Sequence, residues 1–91
     1  MANATTKQNG KIKSILKAGK IIELLAEQAR PVSLTAMAKE LGMAKSTLHG
    51  IVSTLVDIGF LLQVPESGHY QLGKRIGEIG AVSAAMYSDI H

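Results

Sequence analysis

SLTAMAKELGMAKSTLHGIVSTLVDIGFLL, residues 33–62, holds two helical periods with a glycine between them. Leu34, Met37, Ala38 and Leu41 recur at spacings of three and four, which places them on one face of a helix. Gly42 follows, where a left-handed turn closes a helix most easily. The period resumes with Leu48, Ile51, Val52 and Leu55. At about 100° per residue, Ser46, Gly50, Ser53 and Asp57 fall opposite that second apolar stripe, and Lys45, Thr47 and His49 fall toward its flanks. The pattern predicts a helix-turn-helix, whose second helix enters the DNA major groove. Its outer surface is small and rich in hydroxyls near the helix N-terminus, so it can approach a groove closely. The free N–H groups and positive dipole end there also favour a phosphate oxygen. The competing reading is a helical hairpin whose serines and threonines merely face water.

The next residues favour the first reading. Asp57-Ile58-Gly59 ends the second helix, and Phe60–Val64 has strand character. Pro65-Glu66-Ser67-Gly68 is a turn cluster, His69–Leu72 can return as the partner strand, and Gly73 closes it. Helix, turn, helix, hairpin is the order of a winged helix-turn-helix. The fold expected is mainly α with a small β wing, followed by a C-terminal linker helix.

These residues also resemble a known family. LGMAKSTLHGIVSTLVDIGFLLQ, a short turn and YQLGKRIGEIG together are similar to the N-terminal domain of IclR-type bacterial transcription regulators, over roughly residues 12–80. The specific pieces are Lys45-Ser46-Thr47 with His49, the Leu55…Gly59-Phe60 helix end, and Tyr70-Gln71-Leu72-Gly73. The resemblance implies a dimeric, operator-binding regulator that responds to a small molecule. It also implies a following ligand-binding domain, so the chain reads as a piece of a longer regulator with the effector site elsewhere. Two positions depart from the family: Ala44 stands where a proline or capping hydroxyl is common, and Gly50 where arginine is usual. The second removes a long cation from the centre of the outward stripe, either as drift, as an engineered change or as altered operator preference.

Composition bounds the rest. Ninety-one residues, 46% of them apolar, make one small globular domain with an extension. Aromatic residues are only 3%, so the core must be aliphatic. Such a domain is marginally stable alone, and a partner subunit would help. The absence of cysteine excludes a disulfide framework and a Cys-based zinc site. No apolar run follows Met1, and Ser53, Thr54, Asp57 and Gly59 break the longest apolar stretch, which argues against a membrane span. The expected location is the cytoplasm, on the nucleoid if the helix-turn-helix binds DNA. Lys7, Lys11, Lys13, Lys17 and Lys20 precede any acid, giving a basic N-terminal end suited to a polyanion.

Residues 1–11 are expected to form a disordered basic arm, 12–73 the winged helix-turn-helix domain and 74–91 a linker and dimerisation helix. Ser14 can cap a first helix running to about Ala29, with Ile15, Ala18, Ile22, Leu25 and Ala29 as its apolar face, widened by Leu16 and Ile21, and Pro31 as its stop. Val32–Leu34 can add a very short third strand to the wing. The helix after Gly73 carries a loose seam of Ile76, Ile79 or Gly80, Ser83, Met86 or Tyr87, and Ile90, with many small residues. That seam is the expected homodimer contact, with helix 1 assisting.

The groove-facing candidates are Ser46, Thr47, His49, Gly50 and Ser53, with Lys45 as a phosphate clamp. Lys17, Lys20, Lys74 and Arg75 are secondary phosphate candidates, whereas Lys7 and Lys11 read as a solvated tail. Neither a Gly-x-Ser-x-Gly elbow nor a phosphate-cradling glycine loop is present, and the three histidines lack metal-ligand spacing, so no enzyme, cofactor or metal site is expected. The alternative to a DNA reader is a winged-helix protein-interaction module. That module would want an exposed apolar patch on the second helix.

Overall fold

A computed structural model describes residues 10–88. The order is α1 Lys13–Gln28, α2 Leu34–Leu41, α3 Lys45–Asp57, β1 Leu61–Gln63, β2 Tyr70–Leu72 and α4 Lys74–Ser88. Expectations for the arm before residue 10, and for Ile90 and His91, lie outside the described residues.

The α2–turn–α3 unit forms as its periodicity requires. Ser33 caps α2, its hydroxyl accepting from the Ala36 N–H at 3.0 Å. Gly42 adopts φ 65°, and the Met43 N–H donates back to the Ala38 carbonyl. Met37 and Ala38 of α2 and Leu48, Val52 and Leu55 of α3 are buried; Leu34, Leu41 and Ile51 pack around them. Gly59, at φ 85°, ends α3, and the Phe60 N–H reaches the Leu55 carbonyl at 2.9 Å. Chain direction thus reverses before and after α3, and the Met43 and Phe60 N–H groups of the two turns are both satisfied.

The wing is an antiparallel pair with Leu61 opposite Leu72 and Gln63 opposite Tyr70. At its tip Gly68 takes φ 75°, and Gln63 Nε2 donates to the Gly68 carbonyl at 3.0 Å. The expected third strand is a single bridge: Val32 and Tyr70 exchange both backbone hydrogen bonds at 2.8 Å. Leu34 is already inside α2. Val32, Leu61 and Tyr70 thereby join one aliphatic core with Ile21, Leu24 and Leu25 of α1.

Helix α1 departs from expectation in three ways. It starts at Lys13 with Ile12 as N-cap, so Ser14 lies inside the first turn and caps nothing. It ends about where expected, but the turn is made by Ala29, whose φ of 54° is left-handed, rather than by Pro31 itself. A residue before proline is disfavoured in the helical region, which is consistent with α1 ending ahead of Arg30. The buried face is Ile21, Leu24 and Leu25, whereas Ile15 is 67% and Leu16 51% exposed. The chain is apolar around much of α1, and its N-terminal half projects past the core, so periodicity alone does not choose the face.

Helix α4 buries no residue. It is attached through its first turn: the Gly73 N–H donates to the Phe60 carbonyl at 2.8 Å and the Arg75 N–H to the Gly59 carbonyl at 3.1 Å. Gly73 is required there, because a Cβ would sit 2.5 Å from the Gly59 carbonyl oxygen.

Candidate nucleic-acid interface

Helix α3 presents the stripe that the spacing implies. Lys45, Ser46, Thr47, His49 and Gly50 are all exposed, and Ser53 is half-buried. Among the exposed large apolar side chains none belongs to α3 itself. The surface is therefore a polar one that tolerates close approach. A Cβ added at Gly50 would meet nothing within 4 Å, so the missing side chain leaves open space in mid-stripe. Thr54 is exposed, and its hydroxyl donates back to the Gly50 carbonyl at 2.9 Å.

The start of α3 is uncapped. Ala44 has the extended backbone of an N-cap, φ −64° and ψ 139°, but no side-chain hydrogen bond. The first N–H groups stay available to an anion, with Lys45 exposed beside them.

Two neighbours flank the stripe. On one side an open groove of about 460 Å³ separates α3 from the N-terminal half of α1. Ser14, Ile15 and Ala18 form its α1 wall; Ser46, Thr47 and Gly50 form its α3 rim. On the other side Val56 lines a second open groove with Leu61 of the wing and Lys74 and Arg75 of the first turn of α4.

The secondary cations are divided by this arrangement. Lys74 is exposed at the α4 start. Arg75 is partly engaged: Nη1 pairs with Glu78 Oε1 at 3.3 Å, and its stem lies where a Gly59 side chain would be. Lys13, Lys17 and Lys20 share a stripe that continues into buried Leu24, on the edge of α1 turned toward α2 rather than α3. Lys17 is half-buried and Lys20 exposed, and neither lines the groove beside α3. The acidic tip residue Glu66 is exposed, and the wing from Leu61 to Gly73 carries no lysine or arginine. No cluster of three or more histidine, cysteine or acidic residues able to hold a metal exists among the described residues. No helix among them is long and apolar enough to cross a membrane.

Known proteins share this architecture. The family described as the IclR helix-turn-helix domain matches residues 14–65. The HTH-type transcriptional regulator XynR of Escherichia coli (strain K12) is 41% identical over 69 residues, covering 76% of this chain and 27% of that protein. The glycerol operon regulatory protein of Streptomyces coelicolor is 40% identical over 80 residues, 88% of this chain and 30% of its own length. The chain thus spans under a third of the relatives it matches. An IclR regulator structure from Alicyclobacillus acidocaldarius superposes with a TM-score of 0.78 at 30% identity, over 84% of this chain and 31% of that one. Pseudomonas aeruginosa HmgR gives 0.76 at 28% identity, over 82% and 32%. The family match spans the helix-turn-helix that carries the polar stripe of α3 and ends after the first strand of the wing, and the chain belongs to the IclR family of transcription regulators as its helix-turn-helix DNA-binding domain.

Proposed function

We propose that this domain reads a specific operator through α3 and works as a pair of copies. The observation that supports this most directly is the exposed, hydroxyl-rich stripe on α3, uninterrupted by any large apolar side chain. Ser46, Thr47, His49 and Gly50 face the base edges in this reading, and half-buried Ser53 contributes less. Lys45 grips a phosphate beside the uncapped helix start, with Lys17, Lys20, Lys74 and Arg75 as secondary cations. The same polar surface disfavours the interaction-module alternative, which needs apolar contact on α3.

The second copy is held by the faces that the single domain leaves bare. On α4, Val82 is 63%, Met86 66% and Tyr87 69% exposed. On α1, Ile12, Ile15 and Leu16 add a further apolar stretch. In this reading the chain divides into a basic arm over 1–11, the reading domain over 12–73 and a linker and dimerisation helix over 74–91. A small-molecule effector acts on a separate domain of the regulator, in the cytoplasm on the nucleoid. The domain itself needs no cofactor, metal or catalytic activity for this role.

The test is selection of duplexes from a random-sequence pool, followed by affinity against salt. A defined, two-fold-related sequence is expected. Log affinity should fall linearly with log salt, by about 0.9 per neutralised phosphate. Recovery of no preferred sequence, with affinity insensitive to salt, rejects the operator reading.

A further inference from the structure

Among the groups that identify a base pair in the major groove, one is apolar: the C5 methyl of thymine. A reading helix with an apolar border therefore has one partner for it on the bases. Helix α3 has such a border. Thr47, Ile51 and Thr54 recur at helical spacing along the flank that lines the groove shared with α1. None of the residues lining that groove carries a charge, so it offers a phosphate no cation.

The apolar character has identifiable causes. The Thr54 hydroxyl donates to the Gly50 carbonyl at 2.9 Å, so its donor is used within the helix. On the far wall Ile15 is 67% exposed, a large aliphatic side chain left bare beside the stripe. On the α3 rim Gly50 contributes no side chain, and a Cβ there would meet nothing within 4 Å. This space lies with Thr47 in the N-terminal half of α3, the part of a recognition helix that meets base edges. A protein segment seated in the groove would cover Ser46, Thr47 and Gly50 and so displace the duplex. The occupant compatible with a DNA-reading α3 is the duplex itself.

Building on the operator reading, we propose that Thr47 and Ile15 hold the methyl group of a thymine in the space left by Gly50, once in each half-site. Thr47 touches it through its own methyl, and Ile15 closes the far side. The operator then carries an A·T pair of fixed orientation at this step, because adenine in the same place has no methyl to offer. Ile15, outside the expected set of DNA-facing residues, becomes part of the reading surface.

The experiment starts from the duplex that the unmodified chain selects and replaces its thymines one at a time by deoxyuridine, which lacks only the methyl. At one thymine per half-site the replacement is expected to weaken binding about fourfold, the transfer of a single methyl group. Thr47→Ser, which keeps the hydroxyl, and Ile15→Ala should each abolish this preference for thymine over uracil and leave the salt slope unchanged. Thr47→Val, which keeps the methyl, should retain the preference while losing the hydroxyl's share of affinity. Circular dichroism verifies that each variant is folded. The absence of any methyl-sensitive thymine overturns the proposal and leaves the operator reading intact. A preference that persists in Thr47→Ser or in Ile15→Ala does the same. Weaker self-association of Ile15→Ala with the preference unchanged also overturns it, by assigning the groove to a second copy. If the unmodified chain selects no duplex, both readings fall together.

Discussion

Gly50 shows how much one position on α3 can decide. It is exposed, helical and without neighbours to a Cβ, so a longer side chain fits without moving anything. Gly50→Arg is expected to stabilise α3 by about 0.5–1 kcal/mol through loss of a mid-helix glycine. It should also add one cation to the stripe, raising affinity for any duplex and steepening the salt slope by about 0.9. Base preference should change at one operator position, since arginine seeks the acceptor pair of guanine. Duplex selection with both forms checks this; the same operator from each would place residue 50 away from the bases. The outward position of residue 50 is legible in the sequence because α3 has a single clean apolar stripe, so its opposite face is unambiguous. The groove shared by Ser14, Ser46 and Gly50 is not legible there, because it depends on where α1 crosses α3.

At the scale of elements, the two reading-unit helices begin alike and are capped differently. Ser33 and Ala44 both have extended backbone, but only Ser33 offers a hydroxyl to its helix. Ala44→Ser is therefore expected to stabilise the domain by about 0.5–2 kcal/mol. Thermal unfolding should show the gain as a higher midpoint, by roughly 4–8 °C per kcal/mol for a domain of this size. Affinity for DNA should not rise, because the new cap satisfies an N–H otherwise free for phosphate; a tighter complex would show that those groups do not face the duplex. The elements differ in legibility for a physical reason. Helices α2 and α3 and the wing are delimited by Ser33, Gly42, Gly59 and Gly68, whose backbone roles are local. Helix α1 has apolar residues on more than one side, and its buried face is chosen by Met37, Leu48 and Tyr70, which are distant in sequence. Ala29 hides its role for a similar reason, since alanine rarely takes the left-handed turn that it makes here.

The whole molecule has a closed core and two bare apolar faces. Because α4 buries nothing, a chain ending at Gly73 keeps every buried core residue. Sedimentation of that chain beside the 91-residue form measures what α4 contributes to pairing. The longer form is expected to show a concentration-dependent monomer–dimer equilibrium, pulled toward dimer by two-fold-symmetric DNA. The shorter form should remain monomeric at the same concentrations. Equal dimerisation of the two would move the interface away from α4, toward the Ile12–Leu16 end of α1. The bridge between Val32 and Tyr70 has a different consequence, one of folding order. It encloses α2, α3 and β1 in a loop whose ends meet only when the wing has returned. Local helix formation precedes such a closure, and the entropy of joining distant segments is recovered only afterwards. Val32 and Tyr70 are buried in the same cluster as Met37, Leu48 and Val52, so the closure that joins them completes the core beneath α3.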